Sequence, residues 1–262
     1  MIIKILLFII NLLLFFISLI LFSPFIKNDN IRCYGHKIFG FFWKNLISCF
    51  LKDNIVIINN INLQNKKINI INANHTYQID LFVINYLFYI NKIKTSCFSS
   101  FSTNKGISWI DSLLLKSIDA CMINSINYKN NISNSIKKWQ SKSYNRYVIT
   151  FFEGITKNDF KGKIKGNVLV PKTVGFYHIL DNLSSEINYL TDLNILYTLD
   201  GKVLKCKNSD LFSLILKKNV KIYIEINKYK LPKKEDSAKW LKELYIGKDK
   251  QINEIKDKYN LI

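Results

Sequence analysis

The sequence predicts an α/β domain, a mixed sheet flanked by helices, with a transmembrane helix at its N-terminus. Three observations predict this. Residues 5 to 26, "ILLFIINLLLFFISLILFSPFI", carry no charge over 22 positions. From residue 52 on, short Ile-rich runs bounded by Asn alternate with longer apolar or 3.6-periodic runs, the pattern of strands and helices sharing a sheet. The chain of 262 residues is long enough for one such domain and an added segment, and at 48% hydrophobic and 22% charged residues it is not a disordered chain.

As a helix, the uncharged stretch reaches about 33 Å, enough to cross a hydrocarbon core. It exceeds the usual apolar region of a cleaved signal peptide, and no small-residue cleavage site follows, so it reads as a retained anchor. Lys4 stands alone before it, whereas Lys27, Arg32, Lys37 and Lys44 follow, which orients the bulk of the chain to the cytosol. A second apolar run, "IFGFFWKNLISCFL" (38–51), is interrupted by Lys44 and reads as an interfacial helix. Residues 1–51 are thus expected to form a membrane anchor with its interfacial helix, and 52–262 the folded domain with a helical tail.

Within that domain, "NIVIINNINL" and "KINIINA" are predicted strands, and "DLFVINYLFYI" (80–90) a buried helix. "IKTSCFSSF" follows as a strand, "DSLLLKSI" as a helix and "DACMINSI" as a strand. Ile132, Ile136 and Trp139 recur at helical spacing. "RYVITFF" (146–152) is a strand, "PKTVGFYHILDNL" a helix opened by proline, and "EINYLTDLNILYT" and "VKIYIEINKYKL" two further strands. From Glu235 the chain is charged and helical.

The net charge of +19 (38 Lys and Arg against 19 Asp and Glu) suits an anionic partner such as a lipid surface or a phosphorylated substrate. Only Arg32 and Arg146 are arginines, and no basic array interleaved with aromatics stands out, so a nucleic-acid partner is disfavoured. Cys33, Cys49, Cys97, Cys121 and Cys206 lack C-x-x-C spacing, which argues against a disulfide framework and a zinc site and leaves no metal site predicted.

One stretch carries chemistry: "NANHTYQID", 72–80. His75 falls on the turn between a strand and a helix. Asp80, in the first helical turn, can fold back to the imidazole, fix its tautomer and leave the other ring nitrogen to take a proton. A capping Asp80 beside a hydrogen-bonded turn His75 would give the same spacing. A second block, "VITFFEGITK" (148–157), is a strand running into Glu153 and Gly154, with Lys157 close behind as a cation for phosphate, and "VLVPKTVGF" (168–176) follows.

In this order the blocks resemble those of the membrane-bound glycerolipid acyltransferases. They are most similar to the 1-acylglycerol-3-phosphate acyltransferases and the lysocardiolipin and lysophosphatidylinositol acyltransferases. Asn74, His75 and Asp80 match the family's N-H-x4-D, "FFEGI" its F-P-E-G-T, and "PKTVGF" its P-R-T-x-G-F; "YTLDG" matches a strand ending in an aromatic and D-G. The intervening motif is altered. Lys105, Trp109 and Ile110 are kept, while Asp111, Leu114 and Asn127 stand where Pro, Gly and Arg are usual. Phe152, Ile155 and Thr156 likewise replace Pro, Thr and a frequent Arg.

The resemblance implies transfer of an acyl group from acyl-CoA to the free hydroxyl of a lysophospholipid, most simply 1-acyl-glycerol-3-phosphate, with no cofactor beyond the acyl-CoA substrate. His75 would be the general base and Asp80 its orienting partner. Asn74, Glu153, Gly154 and Pro171 would shape the substrate site, with Lys105, Lys157 and Lys172 as phosphate contacts. It implies a membrane location, at the endoplasmic reticulum if the chain is eukaryotic, with membrane lipid as a partner. Two alternatives stay open: remodelling of lysocardiolipin or lysophosphatidylinositol, and a lipid-binding protein that has lost catalysis.

Overall fold

The structure is a computed structural model that describes residues 2–22, 38, 41–42, 44–45, 48, 54–59, 68–77, 79–91, 94–100, 119–123, 127–141, 146–155, 157, 160–163, 166–183, 187–204 and 219–262. The expected helix 111–118 and the block with Lys105, Trp109, Ile110, Asp111 and Leu114 lie outside them, as does most of 38–51.

In chain order the elements are α1 (Ile2–Phe22), β1 (Ile55–Ile57), β2 (Ile68–Ala73), α2 (Asp80–Ile90), β3 (Lys94–Ser100) and β4 (Cys121–Ile123). They continue with α3 (Tyr128–Gln140), β5 (Arg146–Thr150), α4 (Thr173–Leu183), β6 (Tyr189–Leu199), β7 (Lys202–Val203), β8 (Val220–Lys230) and, after a 3₁₀ turn, α5 (Ser237–Lys258). The strands form one mixed sheet in the order β1-β8-β6-β2-β5-β3-β4, with β7 hairpinned onto β6. Among the described strands, only the β6 pairings with β7 and β8 are antiparallel. The β6–β7 turn is Asp200-Gly201, with φ 53° and 77°, the double left-handed geometry that a two-residue hairpin needs and D-G supplies.

Alternation along the strands divides the core in two. Ile71 and Ala73 of β2 face α2, whose Val83, Ile84 and Leu87 are buried there. Ile68 and Ile70 face the other way, against Ile132, Ile136 and Trp139 of α3, Phe176 and Ile179 of α4, and Leu241 and Leu244 of α5. The helical spacing in α3 thus marks its buried face. The expected first strand, 54–63, is shorter in the structure, with β1 ending at Ile57. Pro171 falls two residues before α4 rather than in its first turn, because the Lys172 amide is bonded back to the Phe152 carbonyl at 2.6 Å.

The expected membrane-spanning anchor is not supported: among the described residues no helix is long and apolar enough to cross a membrane. The physical reason lies in the packing. α1 is a helix, but Phe15 is buried with the α2-side core and meets Phe42 edge-on at 5.3 Å. Leu6, Leu7, Ile10, Leu13, Leu14 and Ile17 are left exposed on the remainder of its surface.

A polar seam lies inside the α5 layer. Asn72 of β2 and Asp192 and Asn194 of β6 are all fully buried. Asn72 Nδ2 donates to Asp192 Oδ1 at 2.6 Å, and Tyr245 of α5 donates to Asn72 Oδ1 at 3.1 Å. Lys248, also on α5, pairs with Asp192 Oδ2 at 2.9 Å and donates to the Leu193 carbonyl and Asn194 Oδ1. A buried ion pair of this kind is costly to break from one side, because the remaining charge is stranded without water. Lys248→Met is therefore expected to lower stability by about 3–5 kcal/mol in urea unfolding. A loss below 1 kcal/mol would show that solvent reaches Asp192.

Candidate active site

β2 and β5 are adjacent and parallel, and both deliver their next residues to the same end of the sheet. Loops after the C-terminal ends of parallel strands are where α/β sheets present functional groups. Here those loops carry His75 and Glu153.

The β2–α2 turn is held by two side chains. Asn74 continues the ladder where the strand stops: its Oδ1 accepts from the Ile195 amide and its Nδ2 donates to the Ile195 carbonyl, each at 2.8 Å. Asp80 gathers the turn from the other side. Its Oδ2 accepts the Thr76 and Tyr77 amides at 2.6 and 2.9 Å and faces His75 Nδ1 at 3.1 Å. Its Oδ1 accepts the Tyr197 hydroxyl at 2.6 Å. Desolvation, followed by the Asp80 charge, holds the Tyr197 phenol well above its usual range, so it stays a donor. Asp80 thus closes the turn before α2 and orients the imidazole at once; it does not cap the helix, whose N-cap position is Ile79. His75 remains partly exposed, and its ring stacks on Phe151 with centroids 4.0 Å apart. With Nδ1 committed to the carboxylate, Nε2 is the nitrogen left for a proton.

The β5 turn grips the His75 backbone on both sides. The His75 amide donates to Glu153 Oε2 at 3.3 Å, and the Lys157 amide donates to the His75 carbonyl at 2.6 Å. Gly154 has φ +70°, the left-handed region that favours glycine; a Cβ there would meet only the far end of the exposed Lys172 side chain at 2.9 Å, so the backbone rather than space sets the requirement. Glu153 is 2% exposed, and its Oε1 has no hydrogen-bond partner among the described residues. Burial pushes its carboxyl up to about 8, against the opposing pull of the His75 amide, the Lys248 charge and the Leu169 amide.

Of the residues singled out in the sequence, Asn74, His75, Asp80, Glu153, Gly154 and Lys157 converge here. The Lys157 ammonium is taken up by the Gly166 and Asn167 carbonyls at 3.2 and 2.9 Å, which makes it a brace for the loop rather than a free cation. Lys172 and Pro171 lie on the far side of Gly154, lining a cleft of about 1040 Å³. Asn127 is exposed at the start of α3. Sequence reasoning missed Tyr197, Phe151 and the Asn72–Asp192–Lys248 seam. Tyr197 had a signal, as the aromatic near the end of its strand. Cys121 is a buried thiol pushed up to about 11 by desolvation, an inert core residue.

Fold and site together describe an α/β domain that presents a carboxylate-oriented imidazole at the C-terminal ends of parallel strands. The fold is similar to that of the 1-acyl-sn-glycerophosphate (LPA) acyltransferase PlsC from Thermotoga maritima, with a TM-score of 0.56 over 97% of each chain at 14% identity. No protein-family model matches the chain, and no curated protein matches it.

An acid whose pKa rises on folding keeps its proton in the folded state after the unfolded chain has lost it. Between the ordinary carboxyl range and about 8, the folded state binds more protons, so Glu153 makes stability fall as pH rises across that window. Urea unfolding from pH 5 to pH 8 is expected to show this decline in the wild type and a flatter profile in Glu153→Gln. Identical slopes would mean that Glu153 is ionised in the fold.

Proposed function

We propose that the protein is an acyl-CoA-dependent glycerolipid acyltransferase, acting on the free hydroxyl of a lysophospholipid. The observation that carries this reading is the His75–Asp80 pair: a partly exposed imidazole whose Nδ1 is held by a buried, fully engaged carboxylate. The acceptor hydroxyl would give its proton to His75 Nε2 as its oxygen attacks the thioester carbonyl. The tetrahedral oxyanion would collapse with expulsion of the CoA thiolate, which takes up a proton. Asp80 holds the tautomer and stabilises the imidazolium while it exists. The carboxylate does not need to move, since Thr76, Tyr77 and Tyr197 fix it from three directions.

The blocks around Asn74, Glu153 and Pro171 support the same reading through their resemblance to glycerolipid acyltransferases, and the fold is consistent with it. The net charge of +19 favours an anionic acceptor, and 1-acyl-glycerol-3-phosphate is the simplest of that class. The exposed apolar surface of α1 supports membrane attachment. A row of that kind on a helix is unfavourable in water and favourable in acyl chains.

His75→Ala is expected to lower acyl transfer from labelled oleoyl-CoA to 1-oleoyl-glycerol-3-phosphate by at least about 10²-fold, the usual contribution of a general base. The variant's unfolding curve should be close to that of the wild type. Turnover at the wild-type rate would rule out His75 as the base, and no turnover of any lysophospholipid by the wild type would overturn the function itself.

Liposome flotation tests the attachment. Leu13→Lys with Ile17→Lys should move most of the protein out of the lipid fraction, because each charge opposes burial by about 2.5–3.5 kcal/mol at full depth. Unchanged flotation would assign membrane contact to another surface.

A further inference from the structure

The cleft of about 1040 Å³ beside the Gly154 turn does not include His75 in its lining. It runs between residues 160–163 and 166–172 on one side and α5 on the other, and it meets the candidate active site at Glu153 and Gly154. Two kinds of side chain line it. Lys163, Lys172, Lys242 and Lys250 are exposed there, and none of the four has an ion-pair partner among the described residues. By contrast, Lys138, Lys234 and Lys248 are each paired with a carboxylate. Phe160, Val170 and Ile246 supply exposed apolar surface on the same walls. The single acidic side chain on the α5 wall, Asp249, is turned to the Asn167 amide. At the inner end lies Glu153, buried and with Oε1 unpartnered.

An apolar-walled cleft with four cations that have no ion-pair partner among the described residues takes a polyanion that also has apolar or aromatic surface. Distance along each substrate separates the candidates. In 1-acyl-glycerol-3-phosphate the phosphate sits on the carbon next to the one bearing the hydroxyl, so it must lie close to His75. In acyl-CoA the phosphates are separated from the thioester by the whole pantetheine arm. A cationic cleft beside the base, but not lined by it, matches the second arrangement. Its concave shape and volume of about 1040 Å³ suit a nucleotide-sized ligand better than the surface of a carrier protein. We infer that this cleft binds the phosphorylated nucleotide end of the CoA donor through Lys163, Lys172, Lys242 and Lys250, with the pantetheine arm passing Glu153 and Gly154 toward His75. The assignment rests on the acyltransferase reading for the direction of the arm, while the phosphate site stands on the lysines.

The Glu153 carboxyl, raised to about 8, is protonated at neutral pH and adds no negative charge at the neck. It offers a donor there instead, and the amide of the pantetheine arm is a matching acceptor.

Isothermal titration of the purified full chain in detergent with CoA lacking an acyl group tests the site without turnover. The wild type should bind CoA more tightly than inorganic phosphate. Lys242→Glu with Lys250→Glu, and separately Lys163→Glu, should each weaken CoA binding by about tenfold or more. Turnover by the same variants should show KM for oleoyl-CoA rising by a similar factor, with KM for 1-oleoyl-glycerol-3-phosphate within about twofold of the wild type. The lysines are exposed, and unfolding curves check that the variants fold. CoA binding no better than phosphate, or unchanged in both variants, overturns the assignment. So does an equal rise in both KM values, or lysine-dependent binding of an acyl carrier protein in place of CoA. CoA binding through these lysines in a chain that transfers no acyl group would overturn the acyltransferase reading and leave the phosphate site standing. Acyl transfer indifferent to the lysines would do the reverse.

Discussion

One buried carboxylate organises the candidate-site end of this molecule. Asp80 has no solvent contact, and its two oxygens face two backbone amides, a phenol and an imidazole. An ionised carboxylate is tolerated in such a place only because charge-assisted hydrogen bonds replace its lost water. Each donor comes from a different part of the problem: the turn, the sheet and the candidate base. Satisfying one side chain therefore fixes the exit of β2, the start of α2 and the orientation of His75 together.

The same logic recurs at larger scale in the α5 layer. Asn72, Asp192, Asn194, Tyr245 and Lys248 form a polar seam in a layer that is otherwise largely apolar. An apolar layer of equal volume could pack in several registers, whereas paired polar groups accept only one. The seam joins β2 and β6 to α5, the helix that forms one wall of the cleft. The position of α5 is thereby tied to the strand that carries the His75 turn.

Much of this architecture is legible in the sequence, for local reasons. The helix at Ile132, Ile136 and Trp139 follows from its period, and the strand 146–150 from its β-branched run. The proximity of His75 and Asp80 follows from five residues spanning a strand-to-helix turn. What escapes is non-local. Tyr197 reaches Asp80 from 117 residues away; its place near the end of a strand marks the aromatic, but not the carboxylate it meets. Lys157 looks in sequence like a free cation beside the E-G turn; two backbone carbonyls of its own loop claim it. The N-terminal helix is legible as a helix from its composition, but the burial of Phe15 against the domain depends on a partner surface that composition cannot describe.

The grip of the β5 turn on His75 has a mechanical consequence. The amide and the carbonyl of the same residue are bonded to Glu153 and to the residue 157 amide, so the imidazole is carried on a backbone segment shared with the neck of the cleft. A ligand that shifts the Glu153 turn must also tilt the ring, and whatever holds the ring must stiffen the turn. Thermodynamic reciprocity makes the two effects equal in free energy. Occupancy of the cleft and orientation of the imidazole are then two readings of one hinge rather than separate events.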